Sequence, residues 1–224
     1  MPITIKNKKD LGLGIYTIPD IGLLLGYPLY KVRRYIKKYW DDGIGKELFN
    51  DRYSWSVESN RKAVNFYVLI ELYIFFQLLE LGVNTKRVVK ARREIAKQLN
   101  DSYPFANQKL LTDGKKIWYY LDKNLITADP SAQVNFTQII ESFASKIEFS
   151  DDFLAMRYFP IGKDRSVVVD PHHQFGQPVI NGSNIVTDTI YSMYTSGEKI
   201  KTLSVLYDIT EKEIKDVIEF HKAA

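Results

Sequence analysis

Hydrophobic and polar positions alternate with helical spacing at the start of this 224-residue chain. Leu29, Val32, Ile36 and Tyr39 recur at i, i+3, i+7 and i+10, an inward stripe that predicts a helix over 28–40. Lys31, Arg33, Arg34, Lys37 and Lys38 lie off the stripe. Upstream, Thr17 can cap a shorter helix with Pro19 and Asp20 in its first turn. Leu23, Leu24 and Leu25 supply its apolar surface, and Gly26 stands where a left-handed residue ends a helix. Pro28 suits the first turn of the helix that follows. Two short helices joined by Gly-Tyr-Pro, the second amphipathic and basic, read as a helix-turn-helix.

Arg52 to Val57 reads as an extended piece, a wing beside those helices. The stretch at about 61–81 predicts a helix that is apolar nearly all round, buried in a core or in a dimer interface. Its run from Ala63 to Val83 reaches membrane-spanning length, but Glu71 near the centre would cost roughly 2.5–3.5 kcal/mol there. A basic helix at about 85–99 follows Gly82-Val83-Asn84. Further on, Asp113-Gly114 between Leu110–Thr112 and Ile117–Tyr120 predicts a hairpin. Asp129-Pro130-Ser131 marks a break before a helix near 133–146. Phe153–Phe159 and Val167–Val169 read as strands, and 176–182 as a turn-rich piece with a short strand inside. Three helices close the chain at about 187–196, 199–207 and 211–222. Thr210 and Glu213 form a capping-box pattern at the start of the last.

Charge changes this picture more than composition does. Residues 1–100 hold 18 Lys and Arg against 10 Asp and Glu, and the remainder holds 13 against 17. That asymmetry suits a first half that meets a polyanion and a second half that meets something else. The basic helix at 28–40 fits DNA, because phosphates bind Lys and Arg through counterion release and the major groove admits a helix. The chain has no cysteine, which excludes disulfides, thiolate nucleophiles and Cys-based zinc sites and suits a reducing cytoplasm. No apolar run of signal-peptide length follows the charges at the N-terminus.

Enzymatic and metal chemistry find no footing. His172 and His173 near Asp170 are adjacent residues and point to opposite sides, so they do not share an ion. Gly12-Leu13-Gly14 lacks the third glycine and the strand–helix setting of a dinucleotide loop. No paired or motif-spaced carboxylates stand out, so no active site, metal or cofactor is expected.

Tyr16-Thr17-Ile18-Pro19-Asp20-Ile21-Gly22-Leu23-Leu24-Leu25-Gly26 followed by Val32-Arg33-Arg34-Tyr35 resembles the opening of the MerR family. That resemblance implies a winged helix-turn-helix in which Arg33 and Tyr35 hold the DNA backbone, with Arg52 at the wing. Asp41-Asp42-Gly43 departs from it by inserting acid near the DNA side. A second resemblance covers Val169-Asp170-Pro171, Gly176-Gln177-Pro178-Val179-Ile180-Asn181-Gly182-Ser183-Asn184-Ile185, Ser196-Gly197-Glu198 and the helix from Thr210 to Phe220. These are similar to a small trihelical domain of uncharacterised function that serves as the antitoxin half of bacterial toxin–antitoxin pairs. Asn181 stands where that family carries Arg, and Ser183-Asn184 where it carries Thr-Arg. Together the two resemblances imply a two-part VapB-type antitoxin whose partner is a PIN-like ribonuclease.

The expected architecture is α+β and helix-dominated. A MerR-like winged helix-turn-helix and helical hairpin occupy 1–104, a β-containing connector with one helix 105–165, and a trihelical domain 166–224. The expected DNA-binding residues are Lys31, Arg33, Arg34, Tyr35, Lys37, Lys38 and Arg52. The expected toxin-binding residues are Pro178, Ile180, Asn181, Ser183 and Ile185 in the turn, with Glu211, Asp216 and Glu219 projecting from the last helix. A cytoplasmic homodimer on its own operator, formed through the 61–81 helix, completes the picture. Two alternatives stay open: a free-standing regulator with a sensing tail, and a toxin-binding module without DNA binding.

Overall fold

The computed structural model describes residues 13–44, 54–57, 61–108 and 141–223. Strand β1 (Tyr16–Thr17) leads directly into α1 (Ile18–Leu25), and Thr17 ends one and caps the other. Its side chain accepts from the Asp20 backbone N–H while the Asp20 carboxylate accepts from the Thr17 N–H at 2.8 Å. This reciprocal cap is worth about 1 kcal/mol. Gly26 closes α1 at φ +69°, a conformation that glycine adopts freely.

Helix α2 (Leu29–Tyr35) is shorter than its stripe predicts, because the backbone widens into a π-helical segment over Ile36–Ile44. The buried residues are Val32, Ile36, Trp40 and Ile44. A spacing of four drifts around a helix of 3.6 residues per turn, and the wider turn keeps it facing inward. Tyr39 is accordingly only half-buried, and Leu29, at the first turn of α2, is 45% exposed. Both were expected in the inward stripe, and Trp40 and Ile44 take that role instead.

Strands β2 (Ser54–Val57) and β3 (Arg61–Val64) form a hairpin, and β1 pairs with β3 to give an antiparallel order β1-β3-β2. The apolar helix therefore starts later than its composition suggests. Residues 61–64 belong to the sheet, Asn65 caps α3 (Phe66–Glu80), and its side chain accepts from the Val68 N–H at 2.9 Å. Helix α4 (Thr85–Leu99) returns antiparallel after an Asn84 cap. The expected hairpin at 110–120 and most of the 133–146 helix lie outside the described residues.

A second antiparallel sheet has the order β4 (Ile147–Phe149), β5 (Ala155–Tyr158), β6 (Val167–Val169), β7 (Pro178–Ile180). Side chains alternate across it as the pleat requires. Tyr158, Val167, Val169 and Ile180 join the main core, while Phe159, Val168 and Val179 form a small cluster on the other face. The sheet crosses the 165/166 position, since Tyr158 pairs with Val169. Helices α5 (Thr187–Thr195), α6 (Ile200–Tyr207) and α7 (Glu211–Lys222) follow, the last with a capping box between Thr210 and Glu213.

One hydrophobic core runs from Tyr16 to Phe220. Helix α3 lies inside it: Phe66, Leu69, Ile70, Ile74, Phe76 and Leu78 are all 0% exposed. Its apolar circumference is thus covered by its own chain, and the expected dimer interface through this helix is not there. A charge at Phe75 or Phe76 would disrupt the core and not merely separate protomers. Among the described residues no helix is long and apolar enough to cross a membrane. Glu71, the residue that argued against spanning, is 1% exposed and accepts from Arg92 Nε at 2.7 Å and from the Phe105 N–H at 2.8 Å.

Candidate nucleic-acid interface and tail surface

Val32 and Ile36 anchor α2 in the core, so the opposite side of the helix faces water. Arg33, Arg34, Lys37 and Lys38 are all exposed there. Tyr30, 75% exposed, shares that side. Lys31 is half-buried, with its ammonium 4.1 Å from the centre of the Tyr27 ring and 5.5 Å from that of Phe76. Tyr27 in turn donates to Glu80 at 2.7 Å. Lys31 therefore fixes the helix against α3 through a cation–π contact as well as adding charge. Tyr35 turns its ring into an aromatic cluster, 5.3 Å from Tyr39 and edge-on to Phe75 and Phe76 at 5.4 and 5.1 Å. Arg52 lies outside the described residues.

Helix α4 adds Lys86, Arg87, Lys90 and Lys97 to the exposed cations of the first hundred residues. Arg92, from the same helix, is 1% exposed and serves the core. It pairs with Glu71, donates to the Ser102 carbonyl at 2.6 Å, and lies 5.3 Å from the Trp40 ring. Burial pushes the Glu71 carboxyl up from its ordinary value, against the pull of Arg92 and the Phe105 N–H.

The tail distributes its expected site residues differently from their sequence reading. Ile180 is 0% exposed, as a strand position facing the main core must be. Pro178 is half-buried at the start of β7. Asn181 is exposed, with its N–H donating to the Ser166 carbonyl at 2.8 Å. Ser183 ties the turn, its hydroxyl donating to the Ile180 carbonyl at 2.9 Å and accepting from the Ile185 N–H at 3.1 Å. Ile185 packs, half-buried, against the core.

Asp216 corrects the expectation most sharply, since it does not project. It is 3% exposed, accepts from Ser166 N–H and Oγ at 2.9 Å each and from Lys212 Nζ at 3.3 Å, and is ion-paired with Arg165, whose Nε lies 3.0 Å away. Burial pushes its carboxyl up, but the Ser166 hydrogen bonds, Lys212 and Arg165 outweigh that and hold it below the usual carboxylate value. On α7 the positions at i, i+3 and i+4 from Val217 belong inside, and Asp216 shares that inner side. Glu211 and Glu219 are exposed, Glu211 pairing with Lys215 at 3.9 Å and Glu219 with Arg165.

Three exposed apolar side chains escape sequence reasoning altogether. Val205 and Leu206 on α6 are 79% and 61% exposed, and Phe175 is 81% exposed. A short helix next to turn residues gives no periodic signal strong enough to find them. His172 lies 3.6 Å from Asp170, and among the described residues no group of three His, Cys, Asp or Glu side chains is arranged to hold a metal ion.

Residues 167–221, from β6 to near the end of α7, match a family described as "Protein of unknown function (DUF433)". The chain is 25% identical over 164 residues to a protein of Mycobacterium tuberculosis (strain ATCC 25618 / H37Rv) named "Putative antitoxin VapB45". That match spans 67% of this chain and 68% of the relative. The fold is that of Rv2018 from Mycobacterium tuberculosis, whose crystal structure superposes with a TM-score of 0.71 at 20% identity, covering 91% of this chain and 96% of that one. The chain thus shares sequence with a protein named as an antitoxin, and its fold is α+β and helix-dominated.

Proposed function

We propose that this chain is a DNA-binding antitoxin: α2 grips the operator of its own operon, and the tail neutralises a PIN-like ribonuclease. The exposed row Arg33, Arg34, Lys37 and Lys38, on a helix whose other side is buried, carries this reading. Four cations on one helix of this width suit the phosphates lining a major groove. The likeness to an antitoxin-named protein supports a toxin as the second partner. In this reading the head spans 1–104, the connector 105–165 and the tail 166–224, and no residue carries out catalysis. A twofold dimer would match a palindromic operator, with its interface elsewhere than α3. Within the tail, Asn181, Glu211 and Glu219 remain available to a basic partner, and Pro178, Ser183 and Ile185 shape the turn that presents Asn181.

Fluorescence anisotropy with the DNA upstream of its own gene tests the reading. If a dimer neutralises about eight phosphates, log K should fall against log salt with a slope near −7. Arg33→Ala with Arg34→Ala should weaken binding by about tenfold or more and flatten the slope, with no change in Tm. An affinity independent of salt, or no binding to that DNA, would sink the DNA half. Retained neutralisation of the toxin in that case would single out an inhibitor that does not bind DNA.

A further inference from the structure

The turn between β6 and β7 is built against the preferences of its own residues. Gln174, Phe175 and Gly176 are consecutive and all left-handed, at φ +47°, +56° and +84°. Among the described residues no other pair of adjacent non-glycine residues takes this conformation, which any residue with a Cβ resists. Phe175 nevertheless gains nothing from it in the folded chain. Its side chain is 81% exposed, more than any other large hydrophobic one described.

The turn is held firmly all the same. The Phe175 carbonyl accepts from the Ile15 N–H at 3.2 Å, and the Gly176 N–H donates to the His173 carbonyl at 2.9 Å. The Gln177 N–H donates to the Gln174 carbonyl at 3.0 Å, and the Asp170 carboxylate accepts from the His172 N–H at 2.9 Å. Gly176 lies so close to the Tyr16 ring that a Cβ there would sit 2.3 Å from the hydroxyl oxygen. Ile15, bonded to the turn, is itself 52% exposed. An aromatic in water, on a strained backbone held by hydrogen bonds, marks a group kept for another molecule.

We propose that Phe175, with Ile15 beside it, is the anchor by which this chain docks into an apolar pocket with a basic rim on its toxin. The inference rests on the antitoxin reading above and names the surface that reading leaves open. An aromatic side chain on a backbone already held in place is the kind of group that dominates a protein interface, because it has few rotatable bonds to order on binding. Charge selects the occupant. Asp170 lies within the turn, its carboxylate on the His172 N–H at 2.9 Å, and the Asp20 carboxylate sits on the Thr17 N–H, next to Tyr16 beneath the turn. Arg157, the cation that Asp170 reaches, is already paired with Glu148 at 2.6 Å. A second copy of this chain would bring the same carboxylates against themselves, whereas the RNA-binding surface of a ribonuclease is basic.

The test uses the full chain and the toxin encoded beside its gene, titrated by bio-layer interferometry, with Tm measured in parallel. Phe175→Ala should weaken toxin binding by about 30-fold or more, the size expected of a central anchor. Ile15→Asp should weaken it as well. Phe175→Gly should lose binding to the same extent yet raise Tm by about 2–4 °C, because glycine accepts the left-handed backbone without cost. A lowered Tm for Phe175→Gly would make the side chain structural and overturn the anchor. So would toxin binding by Phe175→Ala within threefold of wild type. Loss of a wild-type dimer on Phe175→Ala, seen by sedimentation, would overturn it by making a second copy the occupant. Failure of the wild type itself to bind the toxin would instead remove the antitoxin reading and the anchor with it.

Discussion

Glu71→Ala is expected to destabilise the chain by about 3–5 kcal/mol, because it leaves the Arg92 guanidinium buried without its counter-charge. For a protein of this length that corresponds to a fall in Tm of roughly 6–20 °C. The loss falls at a junction of three elements. The Glu71 carboxylate joins α3 to Arg92 of α4 and to the Phe105 N–H in the turn that follows, and Arg92 also holds the Ser102 carbonyl. Removing the acid orphans both donors at once. Replacing both charges by Met or Leu should recover most of the loss, since well-packed apolar side chains commonly match a buried ion pair in stability. Thermal denaturation of the single and double variants decides the matter. A single variant within about 1 kcal/mol of wild type would show that the pair is not holding the hairpin to its turn.

Asp216→Ala should cost about 2–4 kcal/mol for a related reason, leaving the Ser166 N–H and hydroxyl without their acceptor and Arg165 with only the exposed Glu219 for a counter-charge. The sign of its pH dependence follows from the direction of its shift. The folded carboxyl is held below the usual value, so the unfolded chain takes up a proton first as pH falls. The stabilisation is complete above about pH 4, the ordinary aspartate range, and is lost as pH drops through the folded value. Asp216→Asn should be less stable than wild type at neutral pH, and the two curves should converge in acid. Urea midpoints measured between neutral pH and pH 3 provide the check. Parallel curves would mean that the charge of Asp216 contributes nothing to folding.

Local chemistry was legible in the sequence where a signal and its partner lie within one turn. Thr17 with Asp20, Gly26, and Thr210 with Glu213 announce helix ends through side chains three residues apart, and the structure has those ends. Features set by tertiary packing were not legible. Ala63 and Val64 are as apolar as the helix after them, and they form a strand because Tyr16, far upstream, and Trp55, across the β2–β3 hairpin, supply backbone partners. Tyr39 fits a helical stripe, but the π-helical widening after Tyr35 brings Trp40 and Ile44 inward instead. Asp216 looks like a surface carboxylate on a charged helix until Ser166 and Arg165 arrive from fifty residues upstream. Phe175 left no trace at all, because nothing in composition distinguishes an aromatic in a turn that faces water from one that packs.

The close approach of Gly176 to Tyr16 bears on how such chains are inherited. The segment that matches a recognised family begins at residue 167, which would suggest a cassette free to be shuffled between unrelated partners. Yet its first turn is seated on Tyr16 and Gly14, where a Cβ on Gly176 would lie 3.2 Å from the Gly14 Cα. A transplanted cassette would arrive with a glycine facing a gap unless its new host offered an aromatic ring between small residues in the same position. Chains that exchange this segment should therefore be found to exchange, or to have independently acquired, the Gly14–Tyr16 seat, so that the unit passed on by recombination includes both stretches although about 150 residues separate them.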